Sequence, residues 1–98
     1  MTRLVFDPDL TLDIDRIASH LIRHEVQHVD ERIDEIFGAL SLLTQHPLIG
    51  RPATPGRRDL VIGKDARGYV ARYRYDELTD TVVVMALRGQ KEAGFVDR

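Results

Sequence analysis

The sequence predicts an α+β fold, β-α-α-β-β-β in chain order, with a helical hairpin packed on one face of a small, mainly antiparallel sheet. Three observations carry this. Two apolar stripes at helical spacing fill the first half, Leu10, Ile14, Ile17 and Leu21, then Ile22, Val26, Val29, Ile33, Ile36, Leu40 and Leu43. Tyr69 to Tyr75 alternates, placing Tyr69, Ala71, Tyr73 and Tyr75 on one side and Val70, Arg72 and Arg74 on the other. Val82 to Leu87 is an unbroken apolar run, which predicts a strand buried on both faces.

Arg3–Phe6 opens the chain as a short β-type run, closed by Asp7-Pro8, because proline restricts its predecessor and donates no ladder bond. Asp9 or Thr11 is placed to cap the first helix, with Asp13 and Asp15 in the first turn, where the dipole favours negative charge. The second stripe is displaced by one residue from a continuation of the first, about 100° of helix. Two helices with a turn inside residues 23–28 resolve the displacement as an αα-hairpin. A kinked continuous helix is the alternative, because neither glycine nor proline marks that turn.

Helix signals end at His46-Pro47. From there to Gly56 the eleven residues starting at His46 hold three prolines and two glycines, the composition of a loop. Arg58–Gly63 and Asp80–Arg88 flank the alternating strand, and Asp76-Glu77-Leu78-Thr79 forms the last hairpin connection. The tail after Arg88 is predicted to form a helical turn at most. With both helices on one face of four strands, the other face must be polar or meet a partner.

The chain has 98 residues, 43% hydrophobic and 31% charged, which fits one folded domain over residues 1–98. No run of apolar residues is long enough to span a bilayer, and the three apolar residues before Asp7 are too few for a signal peptide. Without cysteine there is no disulfide framework, thiolate nucleophile or zinc–thiolate site. The expectation is a cytoplasmic chain with no membrane segment, no metal and no cofactor.

A net charge of −2 excludes a strongly basic protein that coats nucleic acid. The average conceals a division. Residues 1–45 carry −5 and residues 46–98 carry +3, with +5 gathered in 51–74, where six of seven basic residues are arginine. Arginine suits a bidentate grip on phosphate or carboxylate.

Arg72 and Arg74 share one side of the central strand. Desolvation forbids two guanidinium groups against the helices, so they are expected on the open side. Arg88, and Arg57 or Arg58, could join them there. The plainer alternative is a solvated face with ion pairs to Asp59, Asp65 or Asp76. His20, His24 and His28 recur at i, i+4, i+8 but suit a tetrahedral ion poorly and read as a solvated helix face. Asp30, Glu31, Asp34 and Glu35 read as a solubilising helix face, and the three tyrosines as packing. No nucleophile triad, nucleophile elbow or phosphate-cradling loop is present.

Specific strings then point to a family. They are Pro47-Leu48-Ile49-Gly50-Arg51-Pro52, Arg57 to Gly63, Gly68 to Asp76, and Val82 to Arg88 followed by Gly89-Gln90-Lys91-Glu92-Ala93-Gly94-Phe95. Over essentially its whole length the sequence resembles the RelE/ParE toxin superfamily of type II toxin–antitoxin modules. The resemblance implies a RelE/ParE-like fold and two possible chemistries.

RelE-like members are ribosome-dependent mRNA endoribonucleases whose sheet-face arginines or lysines hold phosphate. Arg58, Arg72 and Arg88 match those basic positions and would be catalytic in that case. Gly89 stands where similar toxins commonly carry histidine, and Phe95 where tyrosine is frequent. A nuclease without an acid–base group forfeits roughly 10²–10⁴ in rate. ParE-like members inhibit DNA gyrase by binding, and the sequence leans that way. Whether the chain is an enzyme stays open at this point.

Either chemistry implies a cognate antitoxin, forming a hetero-oligomer with the toxin, and a target that is DNA gyrase or the ribosome with its mRNA. The open basic face and the groove beside the helical hairpin would suit an antitoxin with acidic and apolar anchors. Arg51, Arg57, Arg74, Gln90, Lys91 and Phe95 are the residues expected to bind target or antitoxin.

Overall fold

The computed structural model describes residues 1–24, 27–64, 67–92 and 94–96. The elements are β1 (Arg3–Phe6), α1 (Leu10–Arg23), α2 (Val29–Ser41) with a 3-10 turn at Leu42–Thr44, β2 (Arg51–Pro52), β3 (Arg58–Ile62), β4 (Tyr69–Asp76) and β5 (Thr81–Gly89). The strands lie in the order β1-β5-β4-β3-β2. β1 runs parallel to β5 and the remaining pairs are antiparallel. This is the expected α+β architecture with one addition. Arg51–Pro52, inside the segment read as loop, pairs with Arg58 and Asp59 as a two-residue edge strand, a position where proline is tolerated.

α1 begins where Asp7-Pro8 ends β1. Asp9, one of the two expected caps, takes the N-cap position but makes no side-chain cap bond, and Asp7 supplies the bonds at the helix entry. Its carboxylate accepts the Asp9 N–H at 2.9 Å and its carbonyl accepts the Leu10 N–H at 2.9 Å. Leu10, Ile17 and Leu21 are buried and Ile14 packs against them.

The helical break falls where the displaced stripes placed it. α1 stops at Arg23, and His28 precedes α2 with a left-handed backbone, φ 62°. Glu25 and Val26 lie outside the described residues. Ile22, assigned to the second stripe, is 66% exposed because it sits on the outer face of α1 before the break. The second stripe starts at Val29 and enters the core through Ile36, Leu40 and Leu43.

The core lies between the helices and one face of the sheet, where Leu60, Ile62, Tyr69, Ala71, Tyr73, Val82, Val84 and Leu87 are buried. The expectation that residues 82–87 are buried on both faces is corrected. Val82, Val84 and Leu87 are buried, whereas Val83, Met85 and Ala86 are half-buried. The cause is a bulge. Arg72 pairs with Ala86 but the next residue, Tyr73, pairs with Val84, so Met85 is an extra residue in β5. The bulge reverses the alternation, bringing Leu87 to the core and turning Arg88 to the open side opposite Val70.

A second consequence follows from the shortness of β1. Its pairing with β5 ends at Phe6 and Val84. Further along, α1 supplies the missing partners with side chains. Asp13, 1% exposed, accepts the Leu87 N–H at 2.9 Å, and Arg16 donates to the Leu87 carbonyl at 3.1 Å. Both backbone groups of Leu87 are thereby bonded without a neighbouring strand, as buried polar groups require.

Candidate functional site

The side of the sheet away from the helices carries the arginines. Register places Arg51, Asp59, Arg72 and Ala86 in one row across β2 to β5, and Val61, Val70 and Arg88 in the next. Arg72 grips Asp59 bidentately, Nε to Oδ1 at 2.9 Å and Nη2 to Oδ2 at 3.1 Å. Asp59 is only 8% exposed. Its hydrogen bond raises the Arg72 pKa against the opposing effect of burial, so the guanidinium is held firmly charged.

The C-terminal tail returns over this face. The Phe95 ring centroid lies 4.4 Å from Arg72 Cζ and 5.1 Å from Arg88 Cζ, within cation–π range of both. Arg88 Nη1 donates to the Gly89 carbonyl at 3.2 Å and more weakly to that of Glu92 at 3.4 Å. Its Nε is buried with no partner among the described residues. Val70 is 1% exposed although it lies on the side the helices leave uncovered. Arg74, on the same side of β4 as Arg72, is exposed.

The tail is tied down at two points. The Gln90 N–H donates to the Gly68 carbonyl at 3.0 Å, and the Glu92 carboxylate pairs with Arg16 of α1. Arg16 therefore serves three partners, namely Glu92, the Leu87 carbonyl, and Asp13 at 3.6 Å. Sequence reasoning missed this Asp13–Arg16–Glu92 set. The available signal was that Asp13 stands three residues after Leu10 and four before Ile17, a stripe position held by a charge.

Of the three residues matched to basic positions, the structure brings Arg72 and Arg88 together and places Arg58 elsewhere. The expectation that Arg58 joins the open face is corrected. It shares its side of β3 with Leu60 and Ile62, and Nη1 donates to the carbonyls of Leu48 at 3.2 Å and Gly50 at 2.7 Å. Arg58 thus braces the proline-rich loop. Arg57 precedes β3 and borders a shallow loop pocket formed with Pro52 to Gly56. Arg51, by contrast, joins the open face as the register partner of Asp59. Lys91 is exposed and lines a separate cleft beside the helical hairpin, about 590 Å³ in volume.

The same loop is fixed from the core. The Gly50 N–H donates to Tyr73 Oη at 2.8 Å, and a Cβ at Gly50 would stand 2.7 Å from Tyr73 Cε1 and Oη. Burial raises the Tyr73 pKa, with the Gly50 N–H and Arg58 opposing. The histidines are divided as the helical break implied. The rings of His20 and His24 lie 4.3 Å apart between centroids at a 53° tilt, while His28 lies past the break with Nδ1 3.6 Å from Glu31. No cluster able to hold a metal ion exists among the described residues, and no helix among them is long and apolar enough to cross a membrane.

Similarity to known proteins agrees with this geometry. Toxin RelE3 of Caulobacter vibrioides is 28% identical over 92 residues, covering 94% of this chain and 98% of that protein. The family model described as the ParE toxin of the type II toxin–antitoxin system, parDE, matches residues 4–94. That span takes in both helices, the arginine-bearing β4, the bulged β5 and the tail as far as Gly94. The chain therefore belongs to the ParE toxin family of type II toxin–antitoxin systems, within the RelE/ParE superfamily.

Proposed function

We propose that this toxin inhibits growth by binding DNA gyrase, in the ParE-like manner, and that a cognate antitoxin neutralises it in the cytoplasm. The observation that carries the reading is the state of Arg72. Its guanidinium is committed to both oxygens of Asp59 and lies against the Phe95 ring, an arrangement that presents a rigid recognition surface. The four histidines stand on the helical hairpin and at its exit, away from the arginine row. Arg51, Arg74 and Arg88, with Val61 and Phe95, make a basic and partly apolar face suited to acidic and apolar anchors of a protein partner.

Purified toxin added to DNA gyrase should inhibit supercoiling, and induction without antitoxin should arrest replication and raise the DNA-damage response while translation continues. Intact supercoiling at saturating toxin rejects the reading.

One observation favours a second reading, a RelE-like ribosome-dependent endoribonuclease. Arg72 and Arg88 share one aromatic ring, so two guanidinium groups are grouped as phosphate stabilisation requires. Primer extension on mRNA from intoxicated cells would then show cuts in phase with codons, lost in Arg88→Ala.

A further inference from the structure

The cleft beside the hairpin departs from the charge pattern of its own half of the molecule. Residues 1–45 hold four basic and nine acidic side chains. Three of those four basic residues, Arg16, Arg23 and Arg32, line this cleft, and none of the described acids of that half does. Arg67 and Lys91 add two more cations from the sheet half. The single described acid on the lining, Glu92, is already paired with Arg16.

The cations are also available. Arg23, Arg67 and Lys91 are exposed, and their side chains bond no partner among the described residues. Arg32 spends Nη2 on the Arg67 carbonyl at 3.2 Å, which ties α2 to the approach of β4 and leaves its other donors. Ile17, Leu21 and Tyr69 contribute an apolar part of the lining. A cleft lined by one sign of charge concentrates anions.

We propose that this cleft binds a free nucleotide, with the phosphates on Arg23, Arg32, Arg67 and Lys91 and the base against Ile17, Leu21 and Tyr69. Size argues for a small ligand, because about 590 Å³ lies within the range of small-molecule sites. Arginine predominance argues for phosphate, whose oxygens match the guanidinium fork. The site is distinct from the arginine row on the open face and does not depend on gyrase or the ribosome being the target.

Calorimetric titration of the full-length chain with ATP, pyrophosphate and adenosine tests the assignment. ATP should bind saturably at one site, pyrophosphate more weakly for want of a base, and adenosine not at all. Arg23→Gln/Arg67→Gln should weaken ATP by about tenfold or more, while Arg3→Gln, the same kind of charge loss on β1, should leave it unchanged. Both variants change exposed side chains, and circular dichroism verifies that they fold. Non-saturating binding, equal losses in Arg3→Gln, or tighter binding of an acidic peptide of the same charge would overturn the proposal.

Discussion

Asp59 and Arg72 are direct register partners on β3 and β4, and the guanidinium holds both carboxylate oxygens while Phe95 covers its face. In the proposed reading, recognition and stability meet in this pair. Arg72→Ala leaves a nearly buried carboxylate without its cation, at a cost of about 1–3 kcal/mol. Asp59→Ala/Arg72→Ala should be less destabilised than the two single changes added together, because the pair acts as a unit. Urea unfolding of the three variants measures this. Loss of toxicity in Arg72→Ala is informative only beside the double variant.

The Gly50–Tyr73 contact predicts a second pair of effects. Gly50→Ala forces a methyl group to within 2.7 Å of the tyrosine ring, and overpacking of this kind costs about 1–3 kcal/mol. Tyr73→Phe strands the Gly50 N–H at a buried position, again at about 1–3 kcal/mol. Thermal midpoints should fall in both, and Tyr73→Phe should not rescue Gly50→Ala, because Cε1 remains in the way.

Asp13 provides a third expectation. Asp13→Ala removes the acceptor of the Leu87 N–H, leaving a buried donor unmet for about 1–3 kcal/mol. Amide hydrogen exchange at Leu87 should accelerate in this variant. Asp13→Asn retains a carbonyl oxygen and should lose less.

Most of the architecture was legible because it rests on local periodicity. The displaced stripes located the helical break, and alternation in Tyr69–Tyr75 separated the core side from the arginine side. What escaped depends on registration between distant segments. Arg58 was misplaced because a strand's facing cannot be deduced from one terminal residue, whereas Leu60 and Ile62 determine it. The bulge at Met85 has no marker in an all-apolar run, since neither glycine nor a polar residue interrupts it. Ile22 was assigned inward because periodicity alone does not say on which side of a break a residue falls.

The pH dependence of the N-terminal strand follows from Asp80. Tyr75 and Thr2 hydroxyls both donate to its Oδ1 at 2.7 Å, and these bonds lower its pKa, that of Tyr75 first. A lowered carboxyl pKa contributes stability above the ordinary carboxylate range and loses it as pH falls through the native value. Tyr75 is shifted upward, chiefly by the same bond, so its contribution is lost as pH rises through the native tyrosine value. The tether of β1 to the β4–β5 turn should therefore be strongest at intermediate pH and loosen on both sides, followed by exchange of the Arg3 amide, which donates to the Asp80 carbonyl. Asp80→Asn should flatten the acid limb.

The extra residue at Met85 makes the bulge itself the determinant of the side that Arg88 faces. Flattening the bulge with Met85 retained deletes no arginine and no aromatic, yet it restores strict alternation along β5 and exchanges the facing of Ala86, Leu87, Arg88 and Gly89. A cation would then point at the helices and a leucine at solvent. Excision of Met85, by contrast, would make Val84 and Ala86 the consecutive partners of Tyr73 and Arg72 and leave every later residue of β5 facing as it does now.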